Sequence, residues 1–162
     1  MSLEKAFSVR INGTVCELRA QANETLLDCL RCHGYFEVKS GCEKGDCGAC
    51  AVQLDGEPVD SCLVLAWTAK DASIITVEGL SDINNPHPLI TTFVERGAIQ
   101  CGYCIPGIIV AAEAMLRETL NPTDDDIALA LSGNLCRCTG YTKIFSAIRE
   151  AATILRERGG YD

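Results

Sequence analysis

The sequence of 162 residues has little that is basic, aromatic or continuously apolar. Fourteen Lys and Arg stand against 22 Asp and Glu, a formal charge of −8, which leaves no electrostatic footprint for a phosphate backbone or an anionic lipid surface. Nucleic-acid binding and membrane insertion are therefore not expected. Aromatic residues make up 6% of the chain, and no apolar run approaches the roughly 20 residues of a membrane span. There are two histidines, His33 at the end of an expected helix and His87 in a Pro-containing segment, and neither is placed to act as a base or a ligand. No G-x-G-x-x-G, P-loop or nucleophile-elbow pattern occurs, so a nucleotide site or a hydrolytic triad has no support. The first residues lack a basic patch followed by an apolar stretch, and the cytoplasm is the expected compartment.

What the chain has in excess is cysteine, 11 residues in 162. Disulfides rarely persist in a reducing cytosol, and cysteine clusters there usually bind metal or carry out redox chemistry. Spacing therefore matters more than count.

The length allows one domain, or two small ones that would need stapling. The pattern favours two, in an α+β architecture. In the first half, residues 7–11 and 14–18 alternate as strands across Asn12-Gly13, and a helix over 24–33, capped by Asn23, carries Leu26, Leu27 and Leu30. Further strands are expected over 50–54, 59–63 and 73–77. Residues 79–88 concentrate turn formers and read as a linker, giving domains 1–78 and 89–162. The second half is helical: 89–95, 108–118, 125–131 and 142–158. Thr123 is the expected cap of the third of these helices, so the run Asp124-Asp125-Asp126 reads as a helix start rather than a cation site.

Two sets of four cysteines stand out. Cys42, Cys47 and Cys50 form C-x4-C-x2-C, with Cys62 following at the far side of a hairpin. This is the plant-type spacing for a [2Fe-2S] cluster, and Gly41, Gly45 and Gly48 give the loop the freedom to wrap it. A structural zinc site is the alternative, but zinc knuckles usually come as two separated pairs. The second set is Cys101-x2-Cys104 and, 31 residues later, Cys136-x-Cys138. Both of its pairs precede helix N-termini, where free N–H groups and the dipole favour anionic sulfur. The remaining Cys16, Cys29 and Cys32 read as packing residues: Cys29 and Cys32 fall midway and late in their helix, where the dipole opposes a thiolate. Trp67 is expected to pack in a core or interface.

The segments Gly41-Cys42-Glu43-Lys44-Gly45-Asp46-Cys47-Gly48-Ala49-Cys50, Gln100-Cys101-Gly102-Tyr103-Cys104 and Gly133-Asn134-Leu135-Cys136-Arg137-Cys138-Thr139-Gly140-Tyr141 together resemble the small iron–sulfur subunit of the molybdenum hydroxylases, the xanthine dehydrogenase and aldehyde oxidoreductase family. The resemblance implies an N-terminal ferredoxin-like β-grasp domain and a C-terminal four-helix-bundle domain. Each would hold one [2Fe-2S] cluster, on Cys42, Cys47, Cys50 and Cys62 and on Cys101, Cys104, Cys136 and Cys138. It implies a large partner subunit with a molybdopterin-type molybdenum cofactor and commonly a medium subunit with FAD. It also implies that Gln100 contacts the pterin and that Cys138 lies beside the pterin amino group. The chain would relay electrons within an oxidoreductase acting on a purine or another N-heteroaromatic, and have no substrate site of its own. It departs from the family at Ala51 and Ile105, where Thr is frequent. A free ferredoxin-type carrier or redox sensor is the alternative function.

Overall fold

Alternating burial along the first residues makes a hairpin. In β1 (Lys5–Ile11), Phe7, Val9 and Ile11 face inward, and β2 (Thr14–Ala20) pairs back antiparallel with Leu18 and Ala20 buried. The turn between them takes positive φ at Asn12 and Gly13, the backbone a two-residue hairpin loop requires. A second hairpin, β3 (Ala51–Leu54) and β4 (Glu57–Asp60), turns at Asp55-Gly56 in the same way. The short β5 (Ser73–Ile75) joins the two hairpins, parallel to β1 and antiparallel to β3, giving the sheet order β2-β1-β5-β3-β4. The computed structural model describes residues 4–82 and 84–161, so Ile83 of the expected linker lies outside the described residues.

Helix α1 (Leu26–Cys32) buries Leu26, Leu27, Cys29 and Leu30 against the sheet. Its cap is Thr25, not Asn23: the Thr25 hydroxyl accepts from Asp28 N at 3.1 Å. Residues 24 and 25 are held outside the helix, because Ala66 N donates to Glu24 O and Leu26 N donates to Val64 O. That pairing delays the helix by two residues. Strand β4 also stops earlier than the alternation suggests. The buried Ser61 donates through its hydroxyl to Cys50 O at 2.7 Å, and the chain turns into one 3-10 turn, Ser61–Leu63.

The second half packs α2 (Pro88–Glu95), α3 (Ile105–Glu118), α4 (Asp124–Ala130) and α5 (Thr142–Glu157) around a separate core. Phe93, Ile108, Leu116, Ile127, Ile144 and Ile148 are fully buried in it. Thr123 and Asp126 form a reciprocal capping box on α4, so the acidic run does begin a helix. His87 caps α2, its Nδ1 accepting from Leu89 N at 3.2 Å. Among the described residues no helix is long and apolar enough to cross a membrane.

The two halves meet where α3 lies along β3 and β4. Gly107 of α3 sits so close to the loop before β3 that a Cβ there would run into the carbonyl of Gly48. Gly48 itself has φ +66°, and a side chain on it would strike Asn134 and Gly133. At this seam the helix and the loop approach main chain to main chain.

Candidate metal centres

The loop over residues 41–50 is shaped by its own N–H groups. Asp46 N donates to Cys42 Sγ at 3.2 Å, and Cys42 N donates to Cys47 Sγ at 3.4 Å. Backbone donation from Lys44, followed by that from Asp46, holds the Cys42 thiol down at about 7. A Cβ on Gly41 would lie 2.7 Å from Cys47 Sγ, so the loop has no room for a side chain there. Cys50 and Cys62 lie deeper, 3% and 6% exposed, and the 3-10 turn begun at Ser61 brings Cys62 to Cys50. Burial pushes the Cys50 thiol up to about 12, and it donates to Asp60 Oδ1 at 3.6 Å.

The second set is assembled from two turns that are distant in sequence. Cys104 is the residue before α3, whose first turn contains Pro106, and Cys136 and Cys138 lie in the turn before α5. Cys101 and Cys138 are exposed, with their sulfurs 3.6 Å apart. Cys104 and Cys136 are half-buried and interact through their side chains. Burial, then the Cys136 neighbour, pushes the Cys104 thiol up to about 12. Burial opposes the Cys136 thiolate too, but donation from the Thr139 side chain and backbone outweighs it and lowers its pKa. Tyr141 organises this turn in a left-handed conformation, φ 67°. Its hydroxyl accepts from Cys136 N at 2.7 Å and donates to Asn134 O at 3.1 Å.

The thiols therefore meet two by two: Cys42 with Cys47, Cys50 with Cys62, Cys101 with Cys138 and Cys104 with Cys136. Among the described residues no three Cys, His, Asp or Glu side chains converge on a point for a single ion. A tetrahedral zinc ion needs four donors about 2.3 Å from one point, whereas a diiron cluster is held by four thiolates shared between two irons. The donor set and its pairing fit the cluster.

A cavity of about 420 Å³ is lined by cysteines of both sets, Cys42, Cys47, Cys101, Cys104, Cys136 and Cys138, with Tyr103 and Leu135 at its walls. The Tyr103 hydroxyl donates across it to Ser40 O. Beneath it the two loops are joined by their main chains, Leu135 N donating to Cys47 O at 3.0 Å, while buried Asn134 Nδ2 donates to Gly48 O at 3.1 Å. Gln100 is exposed beside Cys101.

Comparison with known proteins agrees with this geometry. Residues 9–74 match the family described as 2Fe-2S iron-sulfur cluster binding domain, and residues 76–149 match the [2Fe-2S] binding domain family. The nicotinate dehydrogenase small FeS subunit of Eubacterium barkeri is 47% identical over 89% of this chain and 92% of its own length. The xanthine dehydrogenase iron-sulfur-binding subunit of Escherichia coli O157:H7 is 41% identical over 85% of this chain and 88% of its own. The chain belongs to the small iron–sulfur subunits of the xanthine dehydrogenase and aldehyde oxidoreductase family. Among solved structures, a chain of quinoline 2-oxidoreductase from Pseudomonas putida 86 superposes with a TM-score of 0.93 at 40% identity, covering 99% of this chain and 100% of that one. The aldehyde oxidoreductase of Desulfovibrio desulfuricans gives 0.90 at 38% identity, with this iron–sulfur subunit covering 98% of its own length but 18% of that chain.

Of the three cysteines outside both sets, Cys16 packs against the first core with its thiol 3.7 Å from Val9 O, whereas Cys32, expected to pack as well, is exposed, because it falls on the outer face at the end of α1. Cys29 is fully buried beneath β2, pushed up to about 12 mainly by burial, and its thiol lies 3.7 Å from Arg19 O. His33 ties α1 to β2, its Nδ1 on Cys29 O at 2.8 Å and its Nε2 accepting from Arg19 N at 3.2 Å. Trp67 is half-buried against the first core and donates to Ala20 O at 3.0 Å. Sequence reasoning missed Tyr103, Tyr141 and Asn134 as parts of the site. Each stands inside a cysteine motif, one to three residues from a thiol or from Gly140, and that adjacency was the available signal.

Proposed function

We propose that this chain is the electron relay of a heteromeric molybdenum hydroxylase. Cys42, Cys47, Cys50 and Cys62 would hold one [2Fe-2S] cluster and Cys101, Cys104, Cys136 and Cys138 the other. The separate hydrophobic cores support a ferredoxin-like β-grasp domain over 1–78 and a four-helix-bundle domain over 89–162, joined by residues 79–88. When bound, each cluster takes up and releases one electron at a time. The observation that carries the reading is the Leu135 N to Cys47 O hydrogen bond. It links the residue before Cys136 to a cysteine of the other set through main chain alone.

Exposure supports a polarity for the relay. Cys101 and Cys138 are open at the surface beside Gln100, which suits the face toward a large subunit with a molybdopterin-type cofactor. There Gln100 would hydrogen-bond the pterin and Cys138 would lie against its amino group. Cys50 and Cys62 are buried, so water is excluded from the inner side of the other centre. Electrons would then pass through the Cys42, Cys47, Cys50 and Cys62 centre toward FAD in a medium subunit. Nicotinate, nicotine, quinoline and xanthine appear in the names of similar proteins, and all are N-heteroaromatics. We infer that class of substrate for the complex, and the cytoplasm as its location.

The test is low-temperature electron paramagnetic resonance of the dithionite-reduced protein with its co-purifying chains, alongside iron and molybdenum analysis. Two distinct [2Fe-2S] signals, about four irons per chain and a molybdenum-bearing partner support the reading. A single signal, or two with no partner and no molybdenum, would overturn it in favour of a free carrier.

A further inference from the structure

Among the buried polar side chains of the described residues, Glu113 is the one that carries a formal charge. It is fully buried in the middle of α3, on the face turned to the sheet, and it lies outside the cysteine-bearing turns. Removing a carboxylate from water costs several kcal/mol unless it is well partnered. Glu113 has two partners from different halves of the molecule. Arg117, one turn along α3, donates through Nε to Oε1 at 2.6 Å. Gln53, on β3, donates through Nε2 to Oε2 and also reaches Val110 O at 3.3 Å. Gln53 is itself fully buried, and its Oε1 has no hydrogen-bond partner. Arg117 lies over the ring of Tyr161, 4.9 Å from its centroid, and the Tyr161 hydroxyl meets His87 Nε2 at 3.2 Å.

A Leu–Met contact would fill this place with no unpaired acceptor, so the polar network is not there for packing. Its position explains it. Gly107 already pins the start of α3 to Gly48, and Glu113 lies six residues further on, about 9 Å along the helix axis. One anchor would leave α3 free to pivot against the sheet. Two anchors fix its direction, and directional hydrogen bonds fix its register as an apolar contact would not. Both elements lead straight to thiols: β3 follows Cys50, and α3 follows Cys104.

We propose that Gln53, Glu113 and Arg117 form a positioning bolt that sets how the two thiol sites face each other, and hence the gap an electron crosses between them. The proposal rests on the relay reading above. None of the three residues touches a thiol, so their effect is on geometry rather than ligation.

The experiment uses the full chain in its complex with both centres loaded. It reads iron content, the magnetic interaction between the two reduced centres in the paramagnetic resonance spectrum, and amide hydrogen exchange at Asn134 and Leu135. Glu113→Leu is expected to keep its iron, to alter and broaden the splitting, and to speed exchange at Leu135 about tenfold, equivalent to about 1.4 kcal/mol. Gln53→Leu is expected to do the same. Glu113→Gln keeps an acceptor for Gln53 and is expected to restore the parental splitting. The double variant Gln53→Leu with Glu113→Leu removes both buried polar side chains and leaves the half-exposed Arg117 to solvent, and it is expected to regain thermal stability but not the splitting. Parental splitting in both Glu113→Leu and the double variant would overturn the proposal, leaving the network a stabilising contact only. Should Glu113→Leu fail to load iron, Gln53→Leu and the double variant decide by the same criterion. If the unsubstituted chain gives no [2Fe-2S] signals, the relay reading fails, and exchange at Leu135 still decides whether the bolt holds the seam: faster exchange supports it and unchanged exchange overturns it.

Discussion

The two thiol sites are built by opposite means. The first takes three of its cysteines from one nine-residue stretch, 42–50, and its fourth from a turn just beyond the adjoining hairpin, so that most of its geometry is local. The second takes two cysteines from each of two turns separated by a helical pair, and exists only once α3 and α5 have packed. The first buries half of its thiols, and the second opens two of them to solvent. A local site can be enclosed by its own loop, whereas a site assembled at helix starts is left open on the side away from the helices. The difference leaves one site enclosed by the fold and the other open to its surroundings.

The comparison is tested most severely at the place where the two sites touch. Gly107→Ala puts a methyl group into the Gly48 carbonyl, and neither backbone can yield without moving a cysteine turn. We expect a loss of about 3 kcal/mol in thermal or denaturant unfolding, with iron lost from both sites. Unchanged unfolding and iron content would show that the sites are independent. Single ligand substitutions come next. Cys50→Ser and Cys136→Ser should each lower iron by about half and remove a different paramagnetic signal. Cys138→Ser is expected to slow reduction of the chain by its molybdenum partner, seen in stopped-flow absorbance.

A smaller effect distinguishes the halves by pH. Burial, together with Arg117 and Arg158, pushes His87 down to about 4, and its Nδ1 must stay unprotonated to cap α2. Between that value and the ordinary 6.5 the unfolded chain binds a proton that the folded chain does not. Stability is therefore full above pH 6.5 and falls as the pH drops toward 4. After allowance for partial exposure, the loss is about 1–2 kcal/mol. His87→Asn keeps a capping acceptor and should flatten this dependence in pH-dependent melting. The smallest effect is expected of Cys29→Ser: both signals intact and a destabilisation of about 1 kcal/mol. Loss of either signal in that variant would mean that a ligand had been misassigned.

Much of this could be read in the sequence, for reasons that differ between the halves. Asn12-Gly13, Asp55-Gly56 and Thr123 with Asp126 act locally, and local chemistry decided those turns and that cap. The C-x4-C-x2-C array is also local. Where tertiary contacts intervened, the pattern misled. The cap of α1 moved from Asn23 to Thr25 because residues 24–26 pair with residues 64–66, and β4 ended before Cys62 because Ser61 turns onto Cys50 O. His87 looked idle in a Pro-containing segment, yet it caps a helix. Gln53 and Glu113 read as ordinary polar positions of a strand and a helix, 60 residues apart; only the packing of α3 on β3 brings them together.

The hydrogen bond from Leu135 N to Cys47 O has a consequence for substitution. Neither partner atom belongs to a side chain, so a substitution at residue 135 leaves both bonding atoms in place. Proline alone, lacking the N–H, would sever it. The two sites are thus joined by a bridge that makes no demand on residue identity at position 135 except the exclusion of one amino acid.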